Sequence, residues 1–222
     1  MKILHLADLH LGKRVNEFSM LEDQRYILNQ ILDIVEEEAV EVVMICGDVY
    51  DKGIPPVDAI ELLDDFLWKL AEKDCRTLMI SGNHDSGDRL GFGKHLFQNS
   101  NLFIVSQFSG EIEKITIPCG NLPVNFYMLP FVKPVIVNQS LGIHTQSYQE
   151  CLRYLIEHTK IDPEEMNLLM AHQFVTAGKE NPELSDSETS SLGGIDNVDY
   201  RIFDPFDYVA LGHIHKPQAM GR

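Results

Sequence analysis

Aspartate, histidine and asparagine recur along this chain in five short motifs. They are Asp8-Leu9-His10, Gly47-Asp48-Val49-Tyr50-Asp51, Gly82-Asn83-His84-Asp85, Ala171-His172-Gln173 and Gly212-His213-Ile214-His215. Each supplies a carboxylate, an imidazole or a carboxamide oxygen. That donor mixture suits manganese, iron(II) or zinc, and the lack of thiolates disfavours a structural zinc site. Asp8, His10, Asp48, Asn83, His172, His213 and His215 are too many ligands for one ion. If one carboxylate bridges, they suffice for two ions with positions left open for water and substrate. A metal pair roughly 3.5–4 Å apart can hold an attacking hydroxide and phosphate oxygens together, so the chemistry indicated is phosphoester hydrolysis. Singly, each motif is weak: a GDxxD can be a turn before a helix, and Asn83-His84-Asp85 can be an N-cap run. The reading rests on all five in this order.

Short buried strands alternating with amphipathic helices are what would position these groups. Ile3 to Ala7 is an apolar run ending at Asp8, and Val40 to Cys46 is a nearly continuous β-branched run suited to a strand buried on both faces. Thr77 to Ser81, Asn167 to Ala171 and Tyr208 to Leu211 read as further strands, with two or three more between Leu102 and Met128. Leu28, Ile31, Leu32 and Val35 recur at helical spacing, predicting a helix from about Phe18 to Glu38. Pro55-Pro56 opens a second helix, with Ile60, Leu63, Leu67 and Leu70 along one side. Tyr148 to His158 is a third, and the polar, Ser- and Gly-rich stretch from Thr176 to Asp199 reads as a long loop. Every motif thus falls where a strand stops, the place where open α/β folds build their sites. Glycines before Asp48, Asn83 and His213 are expected to let the backbone turn there. The class expected is α/β, two sheets layered between helices.

Length and composition frame this reading. The 222 residues are 44% hydrophobic and 23% charged, enough for one full core with nothing demanding a second domain. No apolar run approaches the ~20 residues that span a bilayer, and Asp8 comes too early for a signal-peptide core, so no membrane role is expected. Cys46, Cys75, Cys119 and Cys151 are widely spaced without a CxxC pair, which suits reduced thiols in the cytoplasm. His5, His95, His144 and His158 belong to no motif and are assigned packing or surface roles. The formal net charge of −16 counts against a generic nucleic-acid binder. Lys13, Arg14 and Arg89, which flank the motifs, are the basic residues best placed to meet phosphates.

The motifs resemble those of the calcineurin-like metallophosphoesterase superfamily from Met1 almost to the end. Finer features narrow the resemblance to its DNA-processing nucleases. These are Leu11-Gly12-Lys13 after the first motif, Pro55-Pro56 after the second, Ser86 with Arg89-Leu90 after the third, Ser185-Asp186-Ser187-Glu188 in the long loop, and Asp207 through Gln218. The resemblance implies one metal on Asp8, His10, Asp48 and His215, and a second on Asp48, Asn83, His172 and His213, with Asp48 bridging. It implies that His84 faces the phosphate, with Asp85 as its orienting partner. It further implies manganese, duplex-end and hairpin DNA as substrate, a homodimer, and an SMC-like ABC ATPase as partner. Relatives of this type carry more chain after the last motif, including a capping domain and a partner-binding segment. Here the sequence stops seven residues past His215 and reads as truncated.

Three other readings compete. Protein Ser/Thr phosphatases of the superfamily carry arginine after GDxxD and glutamate in GNHE, where this chain has Lys52 and Asp85. A cyclic-nucleotide phosphodiesterase of the superfamily is a lesser alternative. A non-catalytic scaffold of the same fold would be expected to have lost ligands, and none is missing.

Overall fold

The structure is a computed structural model that describes residues 1–120, 122–177 and 197–219. It divides into two compact units, Met1–Gln107 and a second beginning at Phe108. Length alone led to the expectation of a single core, but the buried apolar residues form two clusters, one in each unit.

In the first unit the order is β1 (Ile3–Leu6), β2 (Arg14–Val15), β3 (Phe18–Ser19), α1 (Leu21–Glu37), β4 (Val42–Cys46), α2 (Val57–Glu72), β5 (Arg76–Ile80), α3 (Gly87–Leu90), α4 (Lys94–Phe97) and β6 (Leu102–Val105). The sheet order is β1-β4-β5-β6, parallel throughout, with Ile3 opposite Val42, Val42 opposite Arg76 and Thr77 opposite Leu102. All five residues of β4 are buried, as its β-branched run predicts. The loops after β1, β4 and β5 consequently emerge at one edge, carrying the first three motifs.

Helix α1 buries Leu28, Leu32 and Val35 against this sheet and starts later than expected. Phe18-Ser19 instead pairs antiparallel with Arg14-Val15, in a hairpin turned by Asn16 and Glu17 at φ 47° and 68°. Helix α2 follows Pro56, whose backbone is extended. Its buried stripe is Ala59, Leu62, Leu63, Phe66 and Leu70. Of the expected stripe, Leu63 and Leu70 are buried and Leu67 packs against the core, but Ile60 is exposed, and Leu62 and Phe66 join the core instead. Each large side chain so buried contributes about 1.5–3 kcal/mol relative to exposure, which decides the face.

The second unit runs β7 (Glu113–Cys119), β8 (Leu122–Leu129), α5 (Pro134–Leu141), α6 (Tyr148–Glu157), β9 (Met166–His172), β10 (Val175–Thr176), β11 (Val198–Asp199) and β12 (Tyr208–Gly212). Its sheet order is β12-β9-β8-β7, with only the β7–β8 pair antiparallel. Helix α6 is capped by the Ser147 hydroxyl, which accepts from Glu150 N at 3.1 Å, while the Glu150 carboxylate accepts from Gln146 N at 2.8 Å. It buries Cys151, Leu152, Leu155 and Ile156 in the same cluster as Leu169 and Ala171 of β9. Helix α5, opened by Pro134 and ended by Gly142 at φ 66°, was not anticipated. The ends of the long loop meet, since Val175-Thr176 pairs in parallel with Val198-Asp199. Ser185, Asp186, Ser187 and Glu188 lie outside the described residues. Helices packed on a sheet, in both units, make this an α/β protein.

Candidate metal centre

The first unit brings the DxH and GDxxD loops together by backbone pairing. Asp8 N donates to Gly47 O at 3.1 Å, His10 N to Asp48 O at 2.9 Å, Leu11 N to Val49 O at 2.9 Å and Asp51 N to Leu11 O at 3.1 Å. Asp8, His10 and Asp48 take left-handed backbone, at φ 55°, 43° and 47°. Such conformations are costly outside glycine and cluster where a site over-determines them.

Asp48 is the hub, with its side chain 2% exposed. Its Oδ1 accepts from His84 N at 2.9 Å. Its Oδ2 stands 3.7 Å from His10 Nε2 and 3.9 Å from His84 Nε2. Ligand atoms of His10, Asp48 and His84 all lie within 4.8 Å of one another. Those separations are too long for hydrogen bonds. Donors about 2.0–2.2 Å from a common ion stand roughly 3–4 Å from each other, so His10 and Asp48 are spaced as two ligands of one divalent cation, with His84 beside them at the same oxygen. Asn83, three residues past β5 and directly before His84, is exposed.

Glycine here has two different purposes. Gly47 takes φ 83°, as a sharp turn before Asp48 requires. Gly82 does not; a Cβ there would lie 2.1 Å from Asp48 Oδ1 and 2.3 Å from Asp48 N. Close approach of the third motif to the second is what demands glycine. Before the last motif it is His213 itself, at φ 84°, and not Gly212, that turns the chain.

Asp85 does not orient His84. Its Oδ1 accepts from Tyr50 N at 2.9 Å, and its Oδ2 from Val49 N at 3.1 Å and Gly82 N at 2.9 Å. The two aspartates therefore clamp the loops reciprocally, Asp48 reaching one way and Asp85 the other. Burial pushes the Asp85 carboxyl up, the three N–H groups pull it down, and the Asp48 charge adds to the rise. The orienting contact on His84 comes from the Asp51 carbonyl, 2.9 Å from Nδ1. A carbonyl can only accept, so Nδ1 carries the proton and Nε2 is the atom turned toward Asp48. His84 is exposed, as a substrate-facing group must be.

In the second unit His172 ends β9 and is fully buried. It is the register partner of Gly212 on β12, so His213 emerges next to it, their rings 5.2 Å apart at 82°. Phe131 meets the His172 ring edge-on at 6.4 Å and Phe174 the His213 ring at 5.9 Å, giving this imidazole pair an apolar setting. His215 follows, half-buried.

The remaining candidates are more peripheral. Arg14 and Arg89 are exposed and Lys13 half-buried; the Arg14 guanidinium donates to the Glu17 carbonyl across its hairpin. None of the four cysteines forms a disulfide. Burial pushes the Cys46 thiol well up, with the Asp8 charge adding to it, and Cys75 and Cys151 rise to about 11. Gln24 was missed by the sequence reading. Its carboxamide makes three hydrogen bonds to the segment Leu9–Gly12. The signal was a polar residue on the inward stripe of α1, four residues before Leu28.

The calcineurin-like phosphoesterase family matches residues 1–217, a span that includes all five motifs. The chain belongs to that family and is a metal-dependent hydrolase of phosphoesters. Among the described residues, no helix is long and apolar enough to cross a membrane.

Proposed function

We propose that this hydrolase is a DNA nuclease using two manganese ions, cutting duplex ends exonucleolytically and single strands or hairpins endonucleolytically during DNA end processing, repair and recombination. The observation that carries hydrolysis is the convergence of His10 and His84 on one oxygen of the buried Asp48, at 3.7 and 3.9 Å. DNA as substrate is supported by the motifs, which look like those of SbcD, the nuclease subunit of the bacterial SbcCD complex. The stretch Asp207 to Gln218 is the most specific of them. The same resemblance supports a homodimer and an SbcC-type ATPase as partner.

On this reading Asp8, His10, Asp48 and His215 hold one ion, and Asp48, Asn83, His172 and His213 the other. When bound, such ions supply Lewis acidity toward phosphoryl oxygens and ionise water near neutral pH. The chain's own residues do the rest. Asp48 is held in one orientation by the His84 N–H, leaving Oδ2 for the cation. Asp85 fixes the distance between the two loops, so the ligands cannot drift apart as charge builds on the phosphate. His84, anchored through Nδ1, turns Nε2 toward the phosphate, and in its doubly protonated form it can pass the Nε2 proton to the leaving oxygen while Nδ1 keeps its own on the Asp51 carbonyl. Lys13, Arg14 and Arg89 contact the DNA backbone.

The test is digestion of end-labelled duplex and hairpin DNA with manganese, beside a cyclic nucleotide and a phosphoserine peptide. Release of labelled nucleotides is expected. Turnover of the cyclic nucleotide or the peptide with intact DNA would replace the nuclease by a phosphodiesterase or a phosphatase.

A further inference from the structure

Three residues of the first motif's loop take left-handed backbone: Asp8, His10 and Gly12, the last at φ 86°. Pairing with the Gly47–Val49 carbonyls uses the N–H groups of Asp8, His10 and Leu11. Leu9 O and Gly12 N are not part of that pairing, and His10 O has Lys13 N as a local donor at 3.0 Å. Gln24 meets all three groups. Its Nε2 donates to Leu9 O at 3.2 Å and to His10 O at 2.7 Å, and its Oε1 accepts from Gly12 N at 3.0 Å. The partners force this orientation of the amide, because two are carbonyls and one is an N–H. Gln24 in turn sits in the first turn of α1, its own N–H bonded to Met20 O at 2.9 Å. A strained loop is thus tied to a seventeen-residue helix that is packed in the core along the same stripe, through Leu28, Leu32 and Val35.

Only a carboxamide of this length does the work. Glutamate cannot donate, lysine cannot accept, and methionine can do neither, although it matches glutamine in length and in helix propensity.

We infer that Gln24 is a positioning residue of the metal centre, holding the Asp8–Gly12 backbone so that the His10 imidazole meets Asp48. The inference rests on the metal-centre reading above. It differs from a purely structural role in one measurable respect: the loss should appear in metal affinity of folded protein, not only in stability.

The experiment is calorimetric titration of manganese into metal-free wild type, Gln24→Met and Gln24→Glu, at a temperature where circular dichroism shows all three folded. Groups that orient metal ligands typically change affinity by roughly 10–100-fold, so both variants should bind at least about tenfold more weakly than wild type. Wild-type affinity in either folded variant overturns the proposal. Amide exchange of the metal-free wild type provides a check that needs no variant: the Gly12 N–H should be protected, and exchange at the open-chain rate would equally overturn it. A wild type that binds no manganese refutes the metal centre itself, so the two failures are read from different proteins in one titration.

Discussion

Replacing Gly82 by alanine adds one methyl group at the point where the second and third motifs touch. Built on the existing backbone, that carbon lies 2.3 Å from Asp48 N and 2.1 Å from its Oδ1, whereas ordinary contact begins at 3.4 Å. Rotating the Asp48 side chain would relieve the second clash but not the first, which is with backbone. The two loops must therefore separate by about 1 Å, and displacements of that size at a reacting centre cost on the order of 100-fold in rate. Overpacking of this kind costs roughly 1–3 kcal/mol of stability. At roughly 2–4 °C per kcal/mol for a chain of this size, the melting temperature should fall by about 2–12 °C. The assay is bis-p-nitrophenyl phosphate hydrolysis at saturating manganese, with a thermal melt of the same samples. Gly53→Ala is the control, since its nearest neighbour would be 3.6 Å away. Wild-type turnover in Gly82→Ala, with manganese bound as in wild type, would refute the claim that loop spacing sets Asp48.

Three further outcomes follow from the site and its surroundings. His84→Gln should lose about 10²–10⁴-fold in rate with metal content unchanged, the usual contribution of a general acid; loss of an ion would make His84 a ligand instead. Removing a true phosphate contact flattens the salt dependence of DNA binding, so Lys13→Ala and Arg89→Ala should each lower that slope by about one; unchanged slopes return them to the surface. Trp68 and Phe92 are 57% and 83% exposed, so they do not complete the monomer's core, and with Ile60 and Leu96 they offer apolar surface for a second copy. Sedimentation at micromolar concentration should therefore show a dimer, reduced to monomer by Trp68→Lys with Phe92→Glu; a wild-type monomer contradicts it.

The strands and the ligand motifs were legible because both depend on local pattern. A β-branched run such as Val42–Cys46 is a strand in almost any context, and an aspartate or histidine directly after it lands at the sheet edge. The periodicity of α2 placed Leu63, Leu67 and Leu70 on the inward side but could not show how far round that side extends. That helix is apolar on more than one side, and contact with α1 and β5 selects Ala59, Leu62 and Phe66 over Ile60. The Asn16-Glu17 hairpin hid for a related reason, since Glu17 is an unusual residue at positive φ and gives no turn signal. Asp85 was recognised as important but given the wrong partner. Adjacency in sequence suggested His84, while the fold turns its carboxylate onto N–H groups thirty-six and thirty-five residues earlier. Gln24 lies fourteen residues from His10 on another element, so no motif could include it.

The central claim is a paired-metal site built around a bridging Asp48, and stoichiometry tests it most directly. Manganese titrated into metal-free wild type should fill two sites per chain, and Asp48→Asn, folded by circular dichroism, should fill neither at the same concentrations. A single site in the wild type, or two sites retained in Asp48→Asn, would contradict the account.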